Sequence, residues 1–106
     1  MTYANLRAAL KTLCPDTYRW AAPHGKTRYI VCRKYGYSLI RGDDGAVARF
    51  PRIQLDVYWQ AEDDTLLDDV LDLLDANSLG YDLQDTVWDD DRALFRGILT
   101  LELMPG

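Results

Sequence analysis

Apolar residues at Leu6, Ala9, Leu10 and Leu13 fall at i, i+3, i+4 and i+7 and mark one stripe of a helix. Thr2 stands where an N-cap belongs. Pro15 stops the helix, because the residue before a proline is driven out of the helical region. Residues 15–27 carry Pro15, Pro23 and Gly25 and read as a loop. Residues 29–35 are dense in β-branched and aromatic side chains and predict a strand, which residues 37–41 continue past a kink at Gly36. Gly42-Asp43-Asp44-Gly45 has the composition of a turn.

The clearest strand comes next. Ile53, Leu55, Val57 and Trp59 alternate with Gln54, Asp56, Tyr58 and Gln60, one face apolar and the other polar. Pro51 just before it suits a strand start or a sheet edge. Residues 63–76 predict a second helix with a wide apolar face: Leu66, Val70 and Leu73 in one stripe, Leu67, Leu71 and Leu74 in its neighbour. Asp68, Asp72 and Asp75 lie opposite. Asp63 or Asp64 caps the start, and Asn77 and Gly80 supply the exit. A hairpin over residues 81–104 closes the chain. Tyr81, Leu83 and Val87 oppose Asp82, Gln84 and Trp88, and Asp89-Asp90-Asp91 turns the chain. Phe95, Gly97, Leu99, Leu101 and Leu103 then share a face against Arg96, Ile98, Thr100 and Glu102. The expected fold is α+β: one domain over residues 1–106, an antiparallel or mixed sheet of about four strands, and two helices packed on one face.

Composition narrows the function less than the pattern narrows the fold. The chain has 106 residues, a net charge of −5 and a pI of about 4.6. That balance argues against a protein that coats nucleic acid through Lys and Arg. No apolar run reaches the ~18–20 residues of a bilayer-spanning helix, and the first residues lack the basic start and apolar stretch of a secretion signal. Cys14 and Cys32 form no CxxC pair and read as reduced thiols of a cytosolic protein. His24, the one histidine, sits in a Pro-His-Gly loop with no nucleophile placed beside it. Carboxylates cluster at Asp43-Asp44, Glu62-Asp63-Asp64, Asp68-Asp69 and Asp89-Asp90-Asp91, but none matches a calcium-loop spacing. Solvated turns and one acidic helix face account for them better than a metal site does, so no cofactor or metal is expected.

The aromatics, seven Tyr, three Trp and two Phe, leave two readings open. They pack beneath the helices, or they line a subunit interface, where Trp, Tyr and Arg are enriched. Tyr58 on the polar face implies that both faces of the sheet are at least partly covered. Arg41, Arg49, Arg52, Arg92 and Arg96 flank the same strands and either pair with acidic patches on a neighbouring subunit or are solvated.

Residues 46–59, Ala-Val-Ala-Arg-Phe-Pro-Arg-Ile-Gln-Leu-Asp-Val-Tyr-Trp, resemble a segment of the small tail-terminator and tail-completion proteins of long-tailed bacteriophages. In that family a Pro-Arg-(Val/Ile)-Gln-apolar-Asp-apolar-aromatic strand precedes a helix and a closing hairpin. Asp85-Thr86 and the run from Asp91-Arg92-Ala93-Leu94-Phe95 to Leu101 are similar to the family's end, where a polar turn leads into an amphipathic last strand. The resemblance implies a structural protein and not an enzyme. It implies a homo-oligomeric ring, often a hexamer, at the head-proximal end of the tail tube. Its partners would be the tail tube protein and the head connector, with no membrane contact. The protein would be assembled in the bacterial host cytoplasm and carried in the virion. A ring of acidic subunits would have a negative channel through which DNA passes without adhering. The oligomer interface would use the polar face of the matching strand, Arg49, Arg52, Gln54, Asp56 and Tyr58, and arms would come from residues 15–27 or 36–47. Two further readings stand beside it: a small metal-dependent enzyme built on the acidic turns, and an acidic adaptor whose helix 63–76 docks a basic protein.

Overall fold

The computed structural model describes residues 1–45 and 47–103. The first residue of the stretch carrying the family resemblance, Ala46, and the expected last residue of the hairpin, Met104, lie outside them. The chain runs α1 (Tyr3–Leu13), β1 (Thr17–Arg19), β2 (Tyr29–Arg41), β3 (Val47–Trp59), α2 (Leu66–Ala76), β4 (Tyr81–Asp89) and β5 (Leu94–Glu102). The strands form one mixed sheet in the order β1-β2-β3-β5-β4, with β1 parallel to β2 and the other neighbours antiparallel. The α+β class is as the sequence predicts.

Thr2 caps α1 by accepting the Asn5 N–H on its hydroxyl at 3.1 Å, and the helix ends at Leu13, before Pro15. α2 begins three residues later than expected. Its first free N–H, on Leu66, donates to Asp64 Oδ1 at 3.0 Å. At the other end Leu79 N–H returns to the Leu74 carbonyl and Ser78 N–H to that of Asp75, a Schellman closure. Its left-handed residue is Ser78, with φ +56°, and not Gly80.

Both helices cover the same face of the sheet. Leu6 and Leu10 of α1 and Leu66, Val70 and Leu74 of α2 join Ile30, Cys32, Ile53, Leu55, Val57 and Leu99 in one buried core. Gly97 allows α2 to come close to β5, since a Cβ there would stand 2.9 Å from Leu67 Cδ1. The alternation read along residues 53–59 and 95–103 is the alternation of the core.

Three features depart from the expected pattern. The 15–27 loop contains β1, a three-residue strand paired Thr17↔Ile30 to Arg19↔Cys32. In β4 a register shift between Leu83 and Asp85 exchanges the faces of the next residues. Val87 therefore lies opposite Arg96, and Trp88 lies opposite Phe95, with which it makes an edge-to-face contact at 5.0 Å. The third departure is one of length. β2 and β3 pair continuously from Tyr29↔Tyr58 to Arg41↔Val47, interrupted by a shift between Lys34 and Gly36. Among the described residues, β1 leaves β2 at Cys32, and β5 pairs with β3 as far as Arg52, with Leu103 N–H reaching one residue further to the Pro51 carbonyl at 2.9 Å. Tyr37–Arg41 and 47–51 thus form a two-stranded arm beyond the body, closed by a turn in which Gly45 adopts φ +83°. The molecule measures 52 × 26 × 22 Å.

Candidate functional site

The sheet face away from the helices carries a polar core centred on β3. Asp56 is fully buried. Its Oδ2 accepts from Arg33 Nη1 of β2 at 3.0 Å and from Arg96 Nη2 of β5 at 3.1 Å, while Oδ1 accepts from Gln54 Nε2 at 3.0 Å. A carboxylate taken out of water requires such partners, since an unpaired buried charge is strongly unfavourable. Arg33 is held in turn by its Nε–H, which donates to the Trp20 carbonyl at 3.2 Å. Trp20 presents that carbonyl from a left-handed backbone, φ +69°.

Beside this cluster Tyr29, Val31, Tyr58 and Leu94 form a second, smaller apolar core, with Tyr18 and Ala22 packed on it. Tyr29 and Tyr58 stack at 4.4 Å between ring centroids. The guanidinium groups of Arg92 and Arg96 lie 5.5 and 5.7 Å from the Tyr58 ring centre. Burial pushes the Tyr58 hydroxyl above its ordinary pKa, against the opposing pull of Arg96 and Arg92. An open cleft of about 390 Å³ borders this core, with Trp20, His24, Arg33, Tyr58 and Arg92 among its walls.

The five expected interface residues do not share one environment. Arg49, on the arm, and Arg52, at its root, are exposed, and Gln54 is half-buried. Asp56 and Tyr58 are inside the subunit, at 0% and 4% exposure. Arg52, Gln54, Asp56 and Tyr58 lie on one face, as the period predicts, but the inner two hold that face together and are not presented to a partner. The residues that complete the cluster, Arg33 and Arg96, are 23 and 40 positions from Asp56. No local spacing marks them.

The arm is the other candidate surface. Tyr37, Leu39, Ile40 and Val47 are each about half exposed on it. Lys34, Arg41, Arg49 and Arg52 make the arm and its root basic, with Asp43 and Asp44 at the tip. On the opposite edge of the sheet β4 exposes Leu83 and Trp88 together with Asp82 and Asp85.

The acidic turns lie apart. Asp43 and Asp44 sit at the arm tip. Asp64, before α2, accepts from Arg28 at 2.9 Å, and Asp89 from Arg92 at 2.8 Å. Among the described residues, no three of His, Cys, Asp and Glu come together as a metal-binding group, and no helix is long and apolar enough to cross a membrane. No family model matches the chain, and no curated protein matches it.

Proposed function

We propose that this protein is a structural subunit that assembles with copies of itself, in the manner of the phage tail-terminator and tail-completion proteins that residues 46–59 resemble. The single observation that carries this reading is the arm. A two-stranded ribbon is marginal alone in water, and this one holds large apolar side chains in solvent. Exposed apolar side chains gathered on so short a ribbon point to a protein–protein contact. A ring of such subunits, each with net charge −5, would cap the tube of a tail and join it to the head connector, with DNA passing its negative channel. In this reading the protein is not an enzyme.

The test is assembly. Light scattering coupled to size-exclusion chromatography should find a closed oligomer. Electron microscopy of the tube protein encoded in the same genome should show shorter, capped tubes when this chain is added. A chain that stays monomeric with and without tube protein overturns the reading.

One observation favours a second reading, the acidic adaptor. No Lys or Arg occurs between Glu62 and Asp91, and Asp68, Asp72 and Asp75 all face solvent on α2. Neutralising those three with Asn would abolish adaptor binding and leave ring assembly intact.

A further inference from the structure

Charge is divided along this chain. Twelve of its seventeen acidic residues lie between Glu62 and Asp91, and ten of its twelve basic residues lie at or before Arg52. The fold turns that division into two surfaces, the basic arm and the acidic β4 edge. Exposed apolar side chains follow the same division. Among the eight large exposed hydrophobic residues described, four are on the arm, one is at its root, two are on β4, and Trp20 stands apart.

We infer that the arm of one copy docks along the β4 edge of the next copy, with the outer edge of β2 adding a strand to the neighbour's sheet. This inference rests on the self-assembly reading above and assigns its interface. Three observations meet in it. First, among the described residues both edges are open: β4 pairs only with β5, and β2 has no outer neighbour beyond Cys32. Unpaired strand edges carry N–H and C=O groups ready to extend a sheet. The β3 side of the arm is the poorer edge, because Pro51 there has no N–H to offer.

Second, the charges oppose. Lys34, Arg41 and Arg49 are exposed on one surface, and Asp82 and Asp85 on the other. None of the ion pairs among the described residues uses those three cations. Asp43 and Asp44 stand past the last β2–β3 pair, Arg41↔Val47, and so lie off the strand that would dock. Third, each surface offers apolar groups to the other, Leu39 and Ile40 from the arm and Leu83 and Trp88 from β4. The occupant is a second copy because one chain carries both complementary halves. The surface given differs from the surface received, so the contact is heterologous, and where its rotation closes it builds a ring.

A charge exchange tests this. One variant carries Arg41→Glu and Arg49→Glu, and the other carries Asp82→Lys and Asp85→Lys. All four positions are exposed. Wild-type protein is expected to associate, more weakly as salt rises. Each variant alone is expected to be monomeric, because its arm meets an edge of the same sign. Mixed in equal amounts, the two restore the oligomer, since each arm now opposes the other variant's edge. Recovery on mixing also shows that both variants are folded. If either fails to fold by circular dichroism, the uncharged variants Leu39→Thr and Leu83→Thr take over, each expected to weaken association about tenfold. Association of each variant alone as strong as that of the wild type overturns the arm-to-β4 contact and leaves self-assembly standing. Wild-type protein that is monomeric at every concentration overturns both.

Discussion

Arg96 Nη2, on β5, reaches across to β3 and donates to Asp56 Oδ2 at 3.1 Å, on the oxygen that Arg33 already occupies from the other side. One buried carboxylate oxygen therefore ties three adjacent strands. Asp56→Ala leaves two guanidinium groups, 33% and 28% exposed, without their shared acceptor, and should cost ~3–5 kcal/mol. Arg33→Ala alone leaves Asp56 with Arg96 and Gln54 and should cost ~1.5–3 kcal/mol. Removing both arginines should cost more than the sum of the single changes, because the last partner to go strands the charge. Urea denaturation of the single and double variants measures each. Asp56→Arg, which the sequence suggests as an interface probe, should unfold the chain before it reports on assembly.

Besides Trp20, two of the described residues hold left-handed backbone without being glycine: Ser78, which closes α2, and Ala93, which closes the β4–β5 turn with φ +55°. Both are exposed. Ser78→Gly and Ala93→Gly should each stabilise the fold by ~0.5–1 kcal/mol, because glycine enters that region without the Cβ clash. Thermal denaturation would show a rise of a few degrees for each.

Burial holds the Cys32 thiol protonated, its pKa pushed up to about 12, and raises that of Cys14 as well. Only the thiolate reacts. An aromatic disulfide reagent at mildly alkaline pH should therefore leave both cysteines untouched in the native chain and titrate both in denaturant. The linkage has a definite sign. The folded state favours the protonated thiol, so this contribution to stability is fully present below the ordinary thiol pKa. It is lost as the pH rises from there toward about 12. Cys32→Ala should flatten that alkaline decline.

None of the described residues of the arm joins the main core, although Phe50 near its root is buried. Replacing residues 39–49 with Asn-Gly joins the pair Ser38↔Phe50 through a two-residue hairpin turn. This variant should keep the melting temperature within a few degrees and lose self-association. In the dilute full-length chain, hydrogen exchange of Tyr37–Arg41 should run roughly a hundredfold or more faster than that of Ile30, Leu55 and Leu99.

What could be read from the sequence follows from where burial is one-sided. α1, α2 and the alternating stretches of β3 and β5 each have one face in the core, so their period survives in the residue order. β1 does not show, because three residues carry no period and the pairing of Thr17 with Ile30 is set by distant chain. The faces of Val87 and Trp88 are exchanged by a register shift that alternation cannot reveal. Asp56 and Tyr58 read as polar-face residues, and their burial depends on Arg33, Arg96 and Tyr29, brought alongside only by sheet order. The arm is half legible: the strand propensity of 37–41 is plain, but where the described neighbours of β2 and β3 end, at Cys32 and Pro51, is a property of where β1 and β5 stop.

The same ribbon changes how the free subunit travels through solvent. A compact chain of this length has a radius of gyration of about 13 Å, whereas this one has 14.9 Å, drawn out along a 52 Å axis. A gel-filtration column calibrated with round standards will read the 12.1 kDa monomer as heavier than it is, and a sedimentation run will give it a raised frictional ratio. Early elution is thus what the lone subunit does by shape, and absolute mass is the quantity that distinguishes it from a pair.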